Sequence, residues 1–275
     1  QFIELGCNAA DQGEGGVLFL FLHGQIGKIH AEGLVITFGI ELHNIHNRLF
    51  TDKDGAFHDY AAPATVRKLY EMKLELPCID TICNLADSTL WESNIKEICD
   101  CIEIAANLKI PYVRIYASEQ EYTDEKNENV KKAIAEVLPK AEEKGVTLLL
   151  ETSGIYCDTA NLRSLLESFA CDNLGALWDM YSPYFLKDEQ PETTIKNLGA
   201  YVKHVHIKDA MRTENGTEFC LMGEGEAPVE EMMLALRSVN YDGFISLEWA
   251  PEWCGELDDM EIIFSQFINY MKQFS

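Results

Sequence analysis

Positive charge is scarce in this chain: 22 Lys and Arg stand against 46 Asp and Glu, a formal net charge of −24. A surface of that sign repels a polyanion at long range, so nucleic acid is excluded as an expected partner. Cysteine is present but without a motif. Nine residues fall at positions 7, 78, 83, 99, 101, 157, 171, 220 and 254, and no two have the C-x-x-C spacing of a zinc or redox site. Their odd number and scatter read as reduced thiols in a cytoplasmic protein. Long apolar runs are also missing. The stretch 17–22 is far shorter than the roughly 20 residues that span a bilayer, and it lacks the basic flank and small-residue cleavage site of a signal peptide, so no membrane partner is expected. GEGEAP at 223–228 follows a loop and lacks the third glycine of a dinucleotide-binding fingerprint. With no linker or low-complexity segment to divide it, the span 1–275 reads as one domain.

What is there is a rhythm. A chain of 275 residues, 47% hydrophobic, matches the roughly 250 residues of a (β/α)8 barrel. From about residue 64 short β-rich runs at 76–83, 112–116, 146–151, 175–179, 202–207 and 244–249 alternate with helical patterns at 94–108, 128–144, 161–169, 193–198, 229–239 and 258–274. Within 128–144 the residues Val130, Ile134, Val137, Leu138 and Ala141 recur at steps of three and four, and Gly145 stops the helix just before the next strand. Two further strands at 2–7 and 35–43 bring the count to eight, although the first 35 residues are broken by Gly13, Gly15 and Gly16. The predicted fold class is α/β, a single (β/α)8 TIM barrel, because repeated right-handed βα units of that number close most simply on themselves.

Catalytic groups in such barrels sit at the C-terminal ends of strands. VTLLLE ends on Glu151, ALWD on Asp179, VKHVHIKD carries His206 and Asp209 near its end, and FISLE ends on Glu248. An acid at the end of a buried apolar run is costly unless paired or metal-bound, and four successive strands carrying metal-competent side chains point to a metal. Three carboxylates and one imidazole suit one divalent ion, Mn2+ first, with Mg2+ or Co2+ as alternatives. His204 and His206 share a strand face, and His206, nearer the C-terminal end, is preferred as the ligand.

The segments GVTLLLETSG, GALWDMYSPY, YVKHVHIKDAMR, GEGEAPVEEM and YDGFISLEW resemble the xylose-isomerase-like barrels of the sugar phosphate isomerase/epimerase superfamily, over about residues 95–275. The resemblance implies a Glu, Asp, His, Glu metal set, which falls on Glu151, Asp179, His206 and Glu248. Glu151 and Glu248 would also act as acid and base on opposite sides of a substrate carbon, beside a metal that polarises the substrate oxygen. It further implies that Arg212 holds substrate oxygens and that Lys208 and Asp209 reach the substrate or orient His206. Ser182 stands where the ketose 3-epimerases carry a histidine, so that substrate contact does not carry over. The implied activity is isomerisation or epimerisation of a small polar, carbohydrate-like substrate through an enediolate. The alternative is a lyase that begins with the same proton abstraction, a dehydratase of inosose or dehydroshikimate type or a carbon-glycoside-cleaving subunit.

Further candidates are Glu41, His43 and His46 from across the barrel, with His43 as a substrate contact, then Cys83, Asn84 and Tyr116 at neighbouring strand ends. Trp178, Trp249 and Trp253 are expected to wall the site, Trp249 against the substrate. A phosphodiesterase with a histidine-rich three-metal cluster is a poor match to a chain with seven histidines and a charge of −24. Glu224 and Glu226 oppose a phosphate at the helix start near Val229, which favours an unphosphorylated substrate. Association into a homo-oligomer is compatible with the sequence.

Overall fold

The computed structural model describes residues 24–30, 33–43, 57, 60–119, 121–249 and 260–274. Its main sheet takes in β1 (Gly24–His30), β2 (Gly33–Ile40), β3 (Leu42–His43), β4 (Leu74–Glu75), β5 (Cys78–Asp80), β6 (Tyr112–Ile115), β7 (Thr147–Glu151), β8 (Leu174–Asp179) and β9 (Val202–Ile207), and it is completed by β12 (Phe244–Leu247). Between the last two, β10 (Asp209–Thr213) and β11 (Gly216–Cys220) pair apart as a hairpin.

The ring closes through two broken strands. Only Glu41 separates β2 from β3, and only Leu76 and Pro77 separate β4 from β5. These strands pair in parallel along both halves, Phe38 with Leu74 and His43 with Asp80. Taken as single staves, they complete a TIM barrel whose order is β2/β3, β4/β5, β6, β7, β8, β9, β12, β1 and back to β2. One stave departs from expectation: β1 runs antiparallel to both β12 and β2, and only two positions separate β1 from β2. The expected strand at 2–7 lies outside the described residues.

The helices are α1 (Ala62–Glu71), α2 (Trp91–Leu108), α3 (Asp124–Lys144), α4 (Thr159–Phe169), α5 (Tyr181–Lys187), α6 (Pro191–Leu198), α7 (Val229–Ser238) and α8 (Met260–Met271). Helix α3 shows why the pattern works. The Thr123 side chain accepts a hydrogen bond from the Lys126 N–H at its start, and Gly145 closes it at φ +67°, a conformation that suits glycine. Val130, Ile134, Val137, Leu138 and Ala141 are all buried, as their spacing requires. The strand that follows is buried on both faces, Leu148 to Leu150 being fully enclosed, which is why it reads as a continuous apolar run. Among the described residues no helix is long and apolar enough to cross a membrane.

Candidate active site

Register decides which side chains meet. Paired residues of parallel strands share a face, and so do residues two apart on one strand. Asp179 pairs with His206 and His206 with Ser246, so Asp179, His204, His206, Ser246 and Glu248 share one face. Glu151 pairs with Leu177, two residues before Asp179, and joins them. Arg114 pairs with Leu149 and with Asp80, which brings both to the same side. Asp80 pairs with His43, two residues from Glu41. The shared face points into the barrel, and on it Glu41, Asp80, Arg114, Glu151, Asp179, His204 and His206 are all buried.

Three of the expected ligands converge. Glu151, His206 and Glu248 place ligand atoms within 4.8 Å of one another. Asp179 stands beside this triad, linked to it by Lys208, whose ammonium contacts Glu248 and lies 3.2 Å from Asp179 Oδ1. Asp179 is further held by the start of α5, accepting from the Tyr181 N–H at 3.1 Å, the Ser182 N–H at 3.2 Å and the Ser182 hydroxyl. Ser182, the departure noted in the sequence, is therefore a brace for the Asp179 carboxylate. Two carboxylates and an imidazole at strand ends, Glu151 and His206 buried and Glu248 partly so, with a third carboxylate alongside, fit a hard or borderline divalent cation. Burial raises the Glu151 pKa, Arg114 opposes that rise, and the like charges of Glu248 and Asp179 add to it. A cation among these groups relieves that crowding.

Residues that the strand-end rule did not select complete the network. Arg114 donates to Glu151 and to the Thr81 carbonyl at 3.0 Å, and its Nε lies 3.2 Å from Asp80 Oδ1. A charged residue in the apolar run YVRIY carries the same signal that selected Glu151, so Arg114 was detectable. Glu41, expected to line the pocket, bridges two histidines: its Oε1 lies 2.7 Å from His204 Nε2 and its Oε2 3.0 Å from His206 Nε2. Burial pulls the His206 imidazole down, but in the metal-free protein Glu41 outweighs it and the pKa is pushed up to about 10.

Two expected substrate contacts are engaged by the protein itself. The Asp209 carboxylate is filled by backbone donors, Ala210 and Ala227 on Oδ1 and Gly223 and Gly225 on Oδ2, at 2.9 to 3.0 Å. With four N–H groups on its two oxygens it organises the GEGEAP loop and has no lone pair to offer a sugar. A Cβ at Gly225 would lie 2.2 Å from Asp209 Oδ1, which is why glycine stands there. Arg212, on the hairpin strand β10, is engaged away from the triad. It donates to the Tyr184 carbonyl at 3.1 Å and to Asp188 at 3.2 Å, and its guanidinium lies over the rings of Tyr184 and Phe185.

Lys208 is in the cluster, and Trp249 is buried beside Glu248. Trp178 is core. His43 is described only through its backbone pairing with Asp80, while His46 and Trp253 lie outside the described residues. Cys83 is buried in the core, its thiol 3.0 Å from the Thr81 hydroxyl. Asn84 caps local backbone, accepting from Ala86 and Ser118, and Tyr116 lies under the Arg114 guanidinium.

The family model described as xylose isomerase-like TIM barrel matches residues 39–264. Among curated proteins, fructoselysine 3-epimerase of Shigella flexneri is 23% identical over 180 residues, 62% of this chain and 64% of that protein. The match thus spans under two thirds of that relative's length. Among solved structures, a xylose isomerase domain protein from Planctomyces limnophilus aligns with a TM-score of 0.71 at 16% identity, over 86% of this chain and 87% of the other. A D-psicose 3-epimerase determined in the presence of D-fructose aligns at 0.68 and 15% identity, over 86% and 88%. Similarity at these identities concerns the fold.

Proposed function

Since the chain belongs to the xylose isomerase-like TIM barrel family, we propose that it is a divalent-metal-dependent epimerase or isomerase of a small, polar, unphosphorylated carbohydrate. The observation that carries this reading is the convergence of Glu151, His206 and Glu248 at the strand ends, with Asp179 joined to them through Lys208. These four residues would hold the ion, Mn2+ in first place, and when bound it would polarise a substrate oxygen and ease proton loss from the neighbouring carbon.

The chain's own groups do the rest. Glu151 and Glu248 reach the centre from staves three apart, so one carboxylate takes a proton from a substrate carbon and the other returns one from a different side. Burial holds Glu151 above the usual carboxylate range, nearer the pH at which a group both accepts and releases protons. Lys208 donates to Glu248 and fixes its orientation. Arg114 and Lys208 each already face two carboxylates, which disfavours a phosphorylated substrate.

The test is proton exchange. Protein loaded with Mn2+ and offered a panel of ketoses and ketose–amine conjugates in D2O should place deuterium next to the carbonyl without loss of water, read by NMR. Glu151→Gln and Glu248→Gln should each slow that exchange by about 10²–10⁴-fold. An unsaturated product would move the assignment to the lyase reading. Exchange unchanged in both variants would remove the two glutamates from the chemistry.

A further inference from the structure

Glu41 sits at the single-residue break between β2 and β3, with no exposed surface, and each of its two oxygens meets a different histidine. His204 and His206 come from one strand, two residues apart, with ring centroids 5.4 Å apart, so one carboxylate clamps both. Ser246 on β12 adds a third partner, its hydroxyl 3.2 Å from His204 Nε2. Glu41, His204 and His206 also lie close enough to be a ligand group in their own right. However, all three are sealed from solvent, and the contacts at 2.7 and 3.0 Å are hydrogen-bond lengths, so the arrangement is already satisfied by protons.

His206 belongs to both groups, facing Glu41 with Nε2 and meeting Glu151 and Glu248 in the other cluster. An imidazole nitrogen whose proton is donated to a carboxylate has no lone pair left for a metal, so the remaining nitrogen must serve. From this geometry we infer that Glu41 is a positioning residue for the metal centre: it anchors His206 through Nε2–H, fixes the tautomer and ring plane, and presents Nδ1 as the ligand atom, with His204 as the second anchor that keeps the Glu41 carboxylate in place. This rests on the assignment of His206 as a metal ligand. It places the control of the metal centre three staves away from Glu151. Carboxylates that brace metal-bound histidines in this way typically change metal affinity by about 10–100-fold when removed.

The experiment compares wild-type protein and Glu41→Gln, both stripped of metal and titrated with Co2+ by calorimetry and by visible absorption. Matching circular dichroism of the two proteins separates a local effect from a fold lesion. The expected result is Co2+ binding weaker by about 10–100-fold with altered d–d bands. Wild-type affinity and an unchanged spectrum in a folded variant would overturn the positioning role while leaving the metal centre intact. Loss of one of two bound equivalents would overturn it in favour of a second metal at Glu41. If wild-type protein binds no Co2+, both this role and the metal-dependent reading fall. A second measurement needs no variant: long-range proton–nitrogen NMR of 15N-histidine-labelled, Zn2+-loaded wild-type protein should show His206 protonated at Nε2 and metal-shifted at Nδ1. Metal on Nε2 would refute the inference.

Discussion

Arg114 is the residue on which the inner wall of the barrel depends, because it neutralises Asp80 and Glu151 from neighbouring strands at once. Both carboxylates are buried, so losing the guanidinium removes the countercharge they share in a low-dielectric interior. Arg114→Leu is expected to cost about 3–5 kcal/mol, measured by urea unfolding of the metal-free protein. Arg114→Lys keeps the charge but not the planar fork and should fall between the two. A loss below about 1 kcal/mol for the leucine variant would mean that water or rearrangement already screens these carboxylates. Part of this was visible in advance. Glu151, Glu248 and Arg114 each end or interrupt an apolar run, whereas Asp80 closes a three-residue strand too short to make its charge stand out.

At the scale of elements, the loop after the β10–β11 hairpin is shaped by one buried carboxylate. Asp209 gathers the N–H groups of Gly223, Gly225 and Ala227 along with that of Ala210. Asp209→Asn exchanges one acceptor oxygen for an amide NH2 that faces donors, so it should destabilise the protein by about 1–3 kcal/mol for each N–H left unpaired. Amide hydrogen exchange gives the local reading: Gly223, Gly225 and Ala227 should lose protection while α3 keeps its own. Retained protection at all three would show that the loop is held by other contacts. The hairpin itself was not anticipated, although Asn215 followed by Gly216 between two β-capable runs is a turn signal, and Gly216 takes φ +129°. Helix α5 was missed as well, since Pro183 and three aromatic residues within seven positions mask helical spacing.

For the molecule as a whole, enclosure sets thiol chemistry. Cys78, Cys83, Cys101 and Cys157 are buried, and burial pushes Cys83 up to about 11 and Cys157 up to about 12. At pH 8, below those values, the thiols are neutral and enclosed and hence unreactive. Iodoacetamide at that pH should label Cys99, Cys171 and Cys220 in the folded protein well ahead of the buried four, with urea abolishing the difference, as read by peptide mass spectrometry. Early, complete labelling of Cys83 or Cys157 would show that the barrel wall opens far more readily than its packing implies.

The alternation of apolar runs with amphipathic helices, the stop at Gly145 and the acids at successive strand ends were determined by local sequence alone, since periodicity, capping and the cost of burying charge act within a few residues. Partnership was not. That Glu41 meets His204 and His206 more than 160 positions away, that Arg114 joins Asp80 to Glu151, and that Asp209 gathers backbone N–H groups all follow from strand register and ring closure. The antiparallel course of β1 belongs with these, because pairing across the seam is settled by which edges remain open once the other staves have assembled.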